Sequence, residues 1–154
     1  MTHIKSYTGL YTQYTLKNRI IRIIVSFTIL FVGGLIYVVY RDKSLLMFDW
    51  FDSIGIGKQV DYMRGLVQCE GIYGWVKYSL PDGLWLFSYM FIVDAIWNGD
   101  KNSLSFMFIW GLPFVALLSE FFQYFGLCPG VFDWIDLVSY MTAIILFVII
   151  KLLK

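Results

Sequence analysis

The sequence predicts an all-α integral membrane protein of about four transmembrane helices, with an interfacial or re-entrant helical loop between the first and the second. Three observations carry this. Hydrophobic residues make up 59% of the 154 positions and charged ones only 15%, whereas soluble domains hold about 45–50% and about 25%. Mean hydropathy is +0.70, more apolar surface than a soluble core of this size encloses, so hydrocarbon is the solvent that suits it. Finally, four stretches approach the roughly 20 apolar residues that cross a bilayer.

Residues 1–19 read as a polar cytoplasmic tail carrying Lys5, Lys17 and Arg19. The first span, 20–40, is interrupted only by Arg22 and ends in the bulky "IYVVYRDK". It is too long for a signal peptide and lacks a small-residue cleavage site, which predicts a retained anchor. The loop at 41–79 is too apolar for a plain linker. Its segment "SLLMFDWFDSIGIGKQVDYMRGLVQ" mixes large apolar residues with charges. Helical spacing gathers the apolar ones on one face, predicting one or two short helices in the interface, broken near Gly55 and Gly57. A re-entrant segment packed on the bundle is the alternative.

The second span, 80–97, opens with Ser79 as a possible cap, Pro81 in the first turn and Asp82 at the positive helix end. The third, 104–125, contains Pro113, and Pro129-Gly130 separates it from the fourth, 135–153. Short connections make spans two to four antiparallel neighbours in a single transmembrane domain over 20–154. Both termini are expected in the cytoplasm. That arrangement puts Lys5, Lys17, Arg19, Arg22, Lys101, Lys151 and Lys154 inside, against Arg41, Lys43, Lys58, Arg64 and Lys77 outside.

Few chemistries remain open. A net charge of +1 gives no attraction to nucleic acid. His3 is the single histidine, and Cys69 and Cys128 are far apart, so neither a metal centre nor a Cys/His dyad is expected, and no cofactor motif is present. GxSxG, HExxH and Gly-rich phosphate loops are missing, which ranks an enzyme last.

The charges inside apolar spans are the remaining signal, because a mid-bilayer ionisable group costs about 2.5–3.5 kcal/mol on insertion scales. Glu120 and Gln123 share a face of span three at i, i+3, and Asp133 and Asp136 repeat that spacing at the start of span four. Folding at Pro129-Gly130 brings all four to one surface, on the side of Asp82. Bland readings accompany them: the aspartates cap a helix, Gln123 bonds a neighbouring helix, and Glu120 pairs with Arg41, Lys58, Arg64 or Lys77 from the loop. Asp94, near the other end of span two, is expected to snorkel or to pair with Lys101.

The segment "SEFFQYFGLCPGVFDWIDLVSYMTA" resembles the C-terminal helical hairpin of VanZ-like membrane proteins, in which a Glu-x-x-Gln pair ends one span and an Asp-x-x-Asp-like start opens the next. Glu120, Gln123, Asp133 and Asp136 match. Val131 stands where members often carry an arginine, and their Asn and Gly are replaced around Tyr140 and Ala143. The resemblance implies a bacterial cell-envelope location and no defined reaction. Two function classes follow. One is a binder whose acidic extracytoplasmic focus engages a lipid-linked ligand or a membrane partner protein. The other is a homo-oligomeric pore or transporter with Glu120 or Asp94 lining the path.

Overall fold

The computed structural model describes residues 2–67, 73–98 and 102–153. These form seven helices: α1 (Thr2–Tyr40), α2 (Leu46–Ser53), α3 (Gly57–Val67), α4 (Gly74–Tyr78), α5 (Leu80–Trp97), α6 (Ser103–Tyr124) and α7 (Trp134–Leu152). No strand occurs among the described residues.

Three helices are long and apolar enough to cross a membrane: Leu16–Tyr40 within α1, α6 and α7. Only 17%, 22% and 11% of their apolar windows is enclosed. The rest faces outward, including Ile20, Ile24, Phe27 and Phe31 of α1 and Phe106, Phe114 and Phe121 of α6. Water would penalise these surfaces at roughly 25 cal/mol per Å², and lipid does not. The polar tail and the first span form one continuous helix, because nothing between Thr2 and Tyr40 breaks helical geometry: the segment has no proline.

α5 has the bounds expected of the second span but falls outside this group: its 18 residues are enough in length, and Asp82 and Asp94 near its ends bring its hydropathy below that of the three. It is the most enclosed helix and packs against α1, α4, α6 and α7. Two glycines permit these contacts. A Cβ on Gly33 would stand 2.9 Å from the Trp85 ring, and one on Gly83 would stand 3.1 Å from the Ser139 carbonyl oxygen. Each crossing therefore needs a hydrogen in place of a side chain. Ser26 and Ser88 are fully enclosed and donate to their own helices, to the Arg22 and Trp85 carbonyls. Met90, Phe91, Ile109 and Phe147 form the core, with Phe147 edge-on to Phe91 and to Trp110.

The 41–79 loop is largely helical, with Gly55 at φ 81° breaking it where expected. Asp42 accepts the Ser44 N–H at 2.9 Å, which holds its carboxyl below the usual range. Arg64 fastens α3 to α1 by donating to the Val38 carbonyl and, at 2.9 Å, to the Arg41 carbonyl. Its guanidinium lies over the Phe48 ring of α2.

Candidate functional site: an acidic focus at one end of the bundle

Charge collects at two ends of α5. At its C-terminal end, Asp94 is 4% exposed and accepts from Arg22 of α1 and Lys151 of α7, each at 2.8 Å. Arg19 adds a bond to the Ile96 carbonyl at 3.0 Å, near the negative end of α5. Asp94 thus ties three helices together and does not snorkel outward. The expected partner Lys101 lies outside the described residues. The signal for the actual pairing is Arg22, the lone charge interrupting the first apolar span, opposite the lone carboxylate near the same end of the second.

At the other end stand Asp82 of α5, Glu120 of α6, and Asp133 and Asp136 of α7, all close enough for Glu120 to interact with the other three carboxylates. Folding explains most of them. Asp133 is the N-cap of α7 and accepts the Ile135 N–H at 2.8 Å. Asp82 and Asp136 sit in the first turns of α5 and α7, where the helix dipole favours anions. Ser79 does not cap: its backbone is already helical and its hydroxyl makes no cap bond.

Glu120 is different. It lies one turn before the C-terminal end of α6, toward the end where the dipole disfavours a negative charge. It is 4% exposed, and the Asp133 N–H reaches it only at 3.5 Å. None of the four cations considered for it forms an ion pair with it among the described residues. Arg64 is engaged with α1, Lys58 is exposed, and Lys77 lies over the Tyr78 ring. Arg41 stands between the Tyr37 and Tyr78 rings, donates to the Tyr78 carbonyl at 3.4 Å, and is the cation acting on Asp82.

Gln123 turns to the break. A Cβ on Gly130 would stand 2.6 Å from its amide nitrogen, and Gly130 has φ 133°, so a glycine suits this position twice over. Gln123 therefore packs on the turn that orients α7.

Four buried side-chain atoms among the described residues lack a hydrogen-bond partner: Arg41 Nε, Ser79 Oγ, Trp85 Nε1 and Asp136 Oδ1. All belong to the acidic end. Ser79 and Trp85 lie three residues to either side of Asp82, Trp85 packs at 5.2 Å on Tyr37, and Tyr37 carries Arg41. Sequence reading did not single out this set, because nothing in the order of residues separates a satisfied polar atom from an orphaned one. Among the described residues no group of three His, Cys, Asp or Glu is placed to hold a metal ion. Cys128 is a free, exposed thiol beside the break, and Cys69 lies outside the described residues. No family model matches the chain, and comparison with curated proteins and with solved structures returns no similar one.

Proposed function

We propose that the chain is a multi-pass protein of the bacterial cell envelope whose acidic focus binds a cationic or amide-bearing group on a lipid-linked ligand or membrane partner. The observation that carries this reading is Glu120: an enclosed carboxylate toward the negative end of its helix, with one long hydrogen bond and no ion pair among the described residues. A buried carboxylate calls for a cation, a proton or several donors. The orphaned atoms of Arg41, Ser79, Trp85 and Asp136 are further polar capacity toward the same end of α5. The resemblance of Glu120, Gln123, Asp133 and Asp136 to the VanZ-like hairpin supports the cell-envelope part of the reading.

In this reading α5 is a fourth span, α2 to α4 lie in the interface, and both termini are cytoplasmic, so the focus faces outward. Large exposed side chains on the loop helices, Leu46, Trp50, Tyr62 and Leu66, suit an interfacial position. Impermeant maleimide on intact cells checks the orientation: Cys128 is expected to label in a Cys69→Ser background, and a Cys69→Ser, Cys128→Ser, Lys101→Cys variant to resist. The reverse pattern overturns it.

The binding test uses purified protein and two amphiphiles of equal chain length, one with an ammonium head and one with a neutral head. The ammonium form is expected to raise the melting temperature more. The Glu120→Gln, Asp133→Asn, Asp136→Asn variant is expected to fold and to lose that difference. A wild type that does not distinguish the two heads refutes the reading.

A further inference from the structure

An apolar groove of about 550 Å³ runs along α5 and α7 below the focus. Leu84 and Phe87 form one wall, Val138, Thr142 and Leu146 the other, and Trp75 of α4 lies at its upper end. Val138, Thr142 and Leu146 are exposed along its open side. Six residues of α7 border it, the first and last of them, Ile135 and Leu146, eleven steps apart along the helix. At 1.5 Å per residue it is about 16 Å long, half the thickness of a hydrocarbon core. It lies against a helix of membrane-crossing length, so hydrocarbon is its natural filling.

The polar end has chemistry of its own. Leu80 and Gly83 border the groove and flank Asp82 in sequence, and Ile135 precedes Asp136. Ser79 is 1% exposed with its hydroxyl unpartnered, and lies one turn before Asp82. Glu120, Asp82 and Asp136 present carboxyl oxygens, while Arg41 beside Asp82 presents a guanidinium with a buried, unpartnered N–H. A ligand complementary to this end carries a hydrogen-bonding cation and, within reach of it, an anion. With one chain to fill the groove, it is an amphiphile.

We infer that groove and focus form one site for a phospholipid with a primary-amine headgroup, its chain lying between α5 and α7, its ammonium among Glu120, Asp82 and Asp136, and its phosphate on Arg41. This rests on the reading of the focus as a ligand site and names the ligand's class. A primary ammonium donates hydrogen bonds to carboxylates and a trimethylated one does not, so the site distinguishes ethanolamine from choline heads.

The experiment is competition on the full chain in nanodiscs of mixed phosphatidylethanolamine, phosphatidylcholine and phosphatidylglycerol, with retained lipid counted by native mass spectrometry after extraction. The wild type is expected to keep one phosphatidylethanolamine with a preference of about tenfold over phosphatidylcholine, the discrimination expected of charge-assisted hydrogen bonds. Thr142→Trp, on the exposed wall, is expected to cut its retention, and Val138→Trp gives a second filling at another height if the first folds poorly. Asp82→Asn with Asp136→Asn is expected to keep a chain and lose the head preference. Equal retention of the three lipids by the wild type means annular lipid only and overturns the inference, as does unchanged retention in both groove-filling variants. If filling the groove changes nothing while the two amphiphile heads are still distinguished, the focus stands and the lipid assignment falls. If neither experiment shows head discrimination, both fall.

Discussion

The two ends of α5 handle buried carboxylate in opposite ways. Asp94 is matched by two cations at 2.8 Å drawn from α1 and α7, so its charge is neutralised by the helices it joins. At the other end, Glu120, Asp82 and Asp136 lie near one another, and among the described residues only Asp82 has a guanidinium beside it, that of Arg41, held by the rings of Tyr37 and Tyr78. Removing a member of the first group strands its partners. Removing charge from the second relieves crowding among like charges. The difference teaches that depth and burial alone do not identify a functional charge in a membrane bundle, since Asp94 and Glu120 are equally enclosed at 4% exposure. What separates them is whether the fold itself supplies the counter-charge.

The largest expected effect breaks the closed end. Asp94→Asn leaves Arg22 and Lys151 without their carboxylate and should cost about 3–5 kcal/mol, the usual range for opening a buried pair, seen as lower melting temperature and membrane yield. Replacing all three together (Arg22→Met, Asp94→Leu, Lys151→Met) should recover most of that loss. A harmless Asp94→Asn removes the contrast. Next comes the α5–α7 crossing: Gly83→Val drives two methyl groups into the Ser139 backbone and should cost about 1–3 kcal/mol by overpacking. Arg64→Met deletes two bonds, to the Val38 carbonyl of α1 and to the Arg41 carbonyl just beyond it, worth about 1.5–3 kcal/mol each at most when the donor is charged. Partial exposure lowers the expected loss to about 1 kcal/mol, with faster amide exchange over Gly57–Val67 as the readout. The smallest stability effect should come from the open end, where Glu120→Gln keeps the shape and leaves no stranded cation.

Span positions are legible in the sequence because backbone groups in hydrocarbon must bond within their own helix, so apolar length and helix length coincide. The bounds of α5 at 80–97 follow from Pro81 at the start and Asn98, in the left-handed conformation, at the end. The meeting of Glu120 with Asp133 and Asp136 is legible too, since the i, i+3 spacings and the Pro-Gly break leave little freedom. The partner of Asp94 is not, because it depends on which faces of α1 and α7 turn toward α5. Those faces are set by Gly33 beneath Trp85 and Gly83 against Ser139, contacts between residues far apart in the chain. The roles of Asp133 and Gln123 divide in the same way. Capping by Asp133 is a local property that its spacing foretells, whereas Gln123 settles on Gly130 through the geometry of the turn.

The most direct measurement is the melting temperature of the Glu120→Gln, Asp133→Asn, Asp136→Asn variant beside Asp94→Asn, with and without the ammonium amphiphile. Asparagine still caps a helix, so Asp133→Asn preserves the start of α7. If the focus is a ligand site, the triple variant melts at or above the wild type and no longer responds to the ammonium head, while Asp94→Asn melts far lower. A triple variant that unfolds as readily as Asp94→Asn, or that keeps the full response to the amphiphile, contradicts the account.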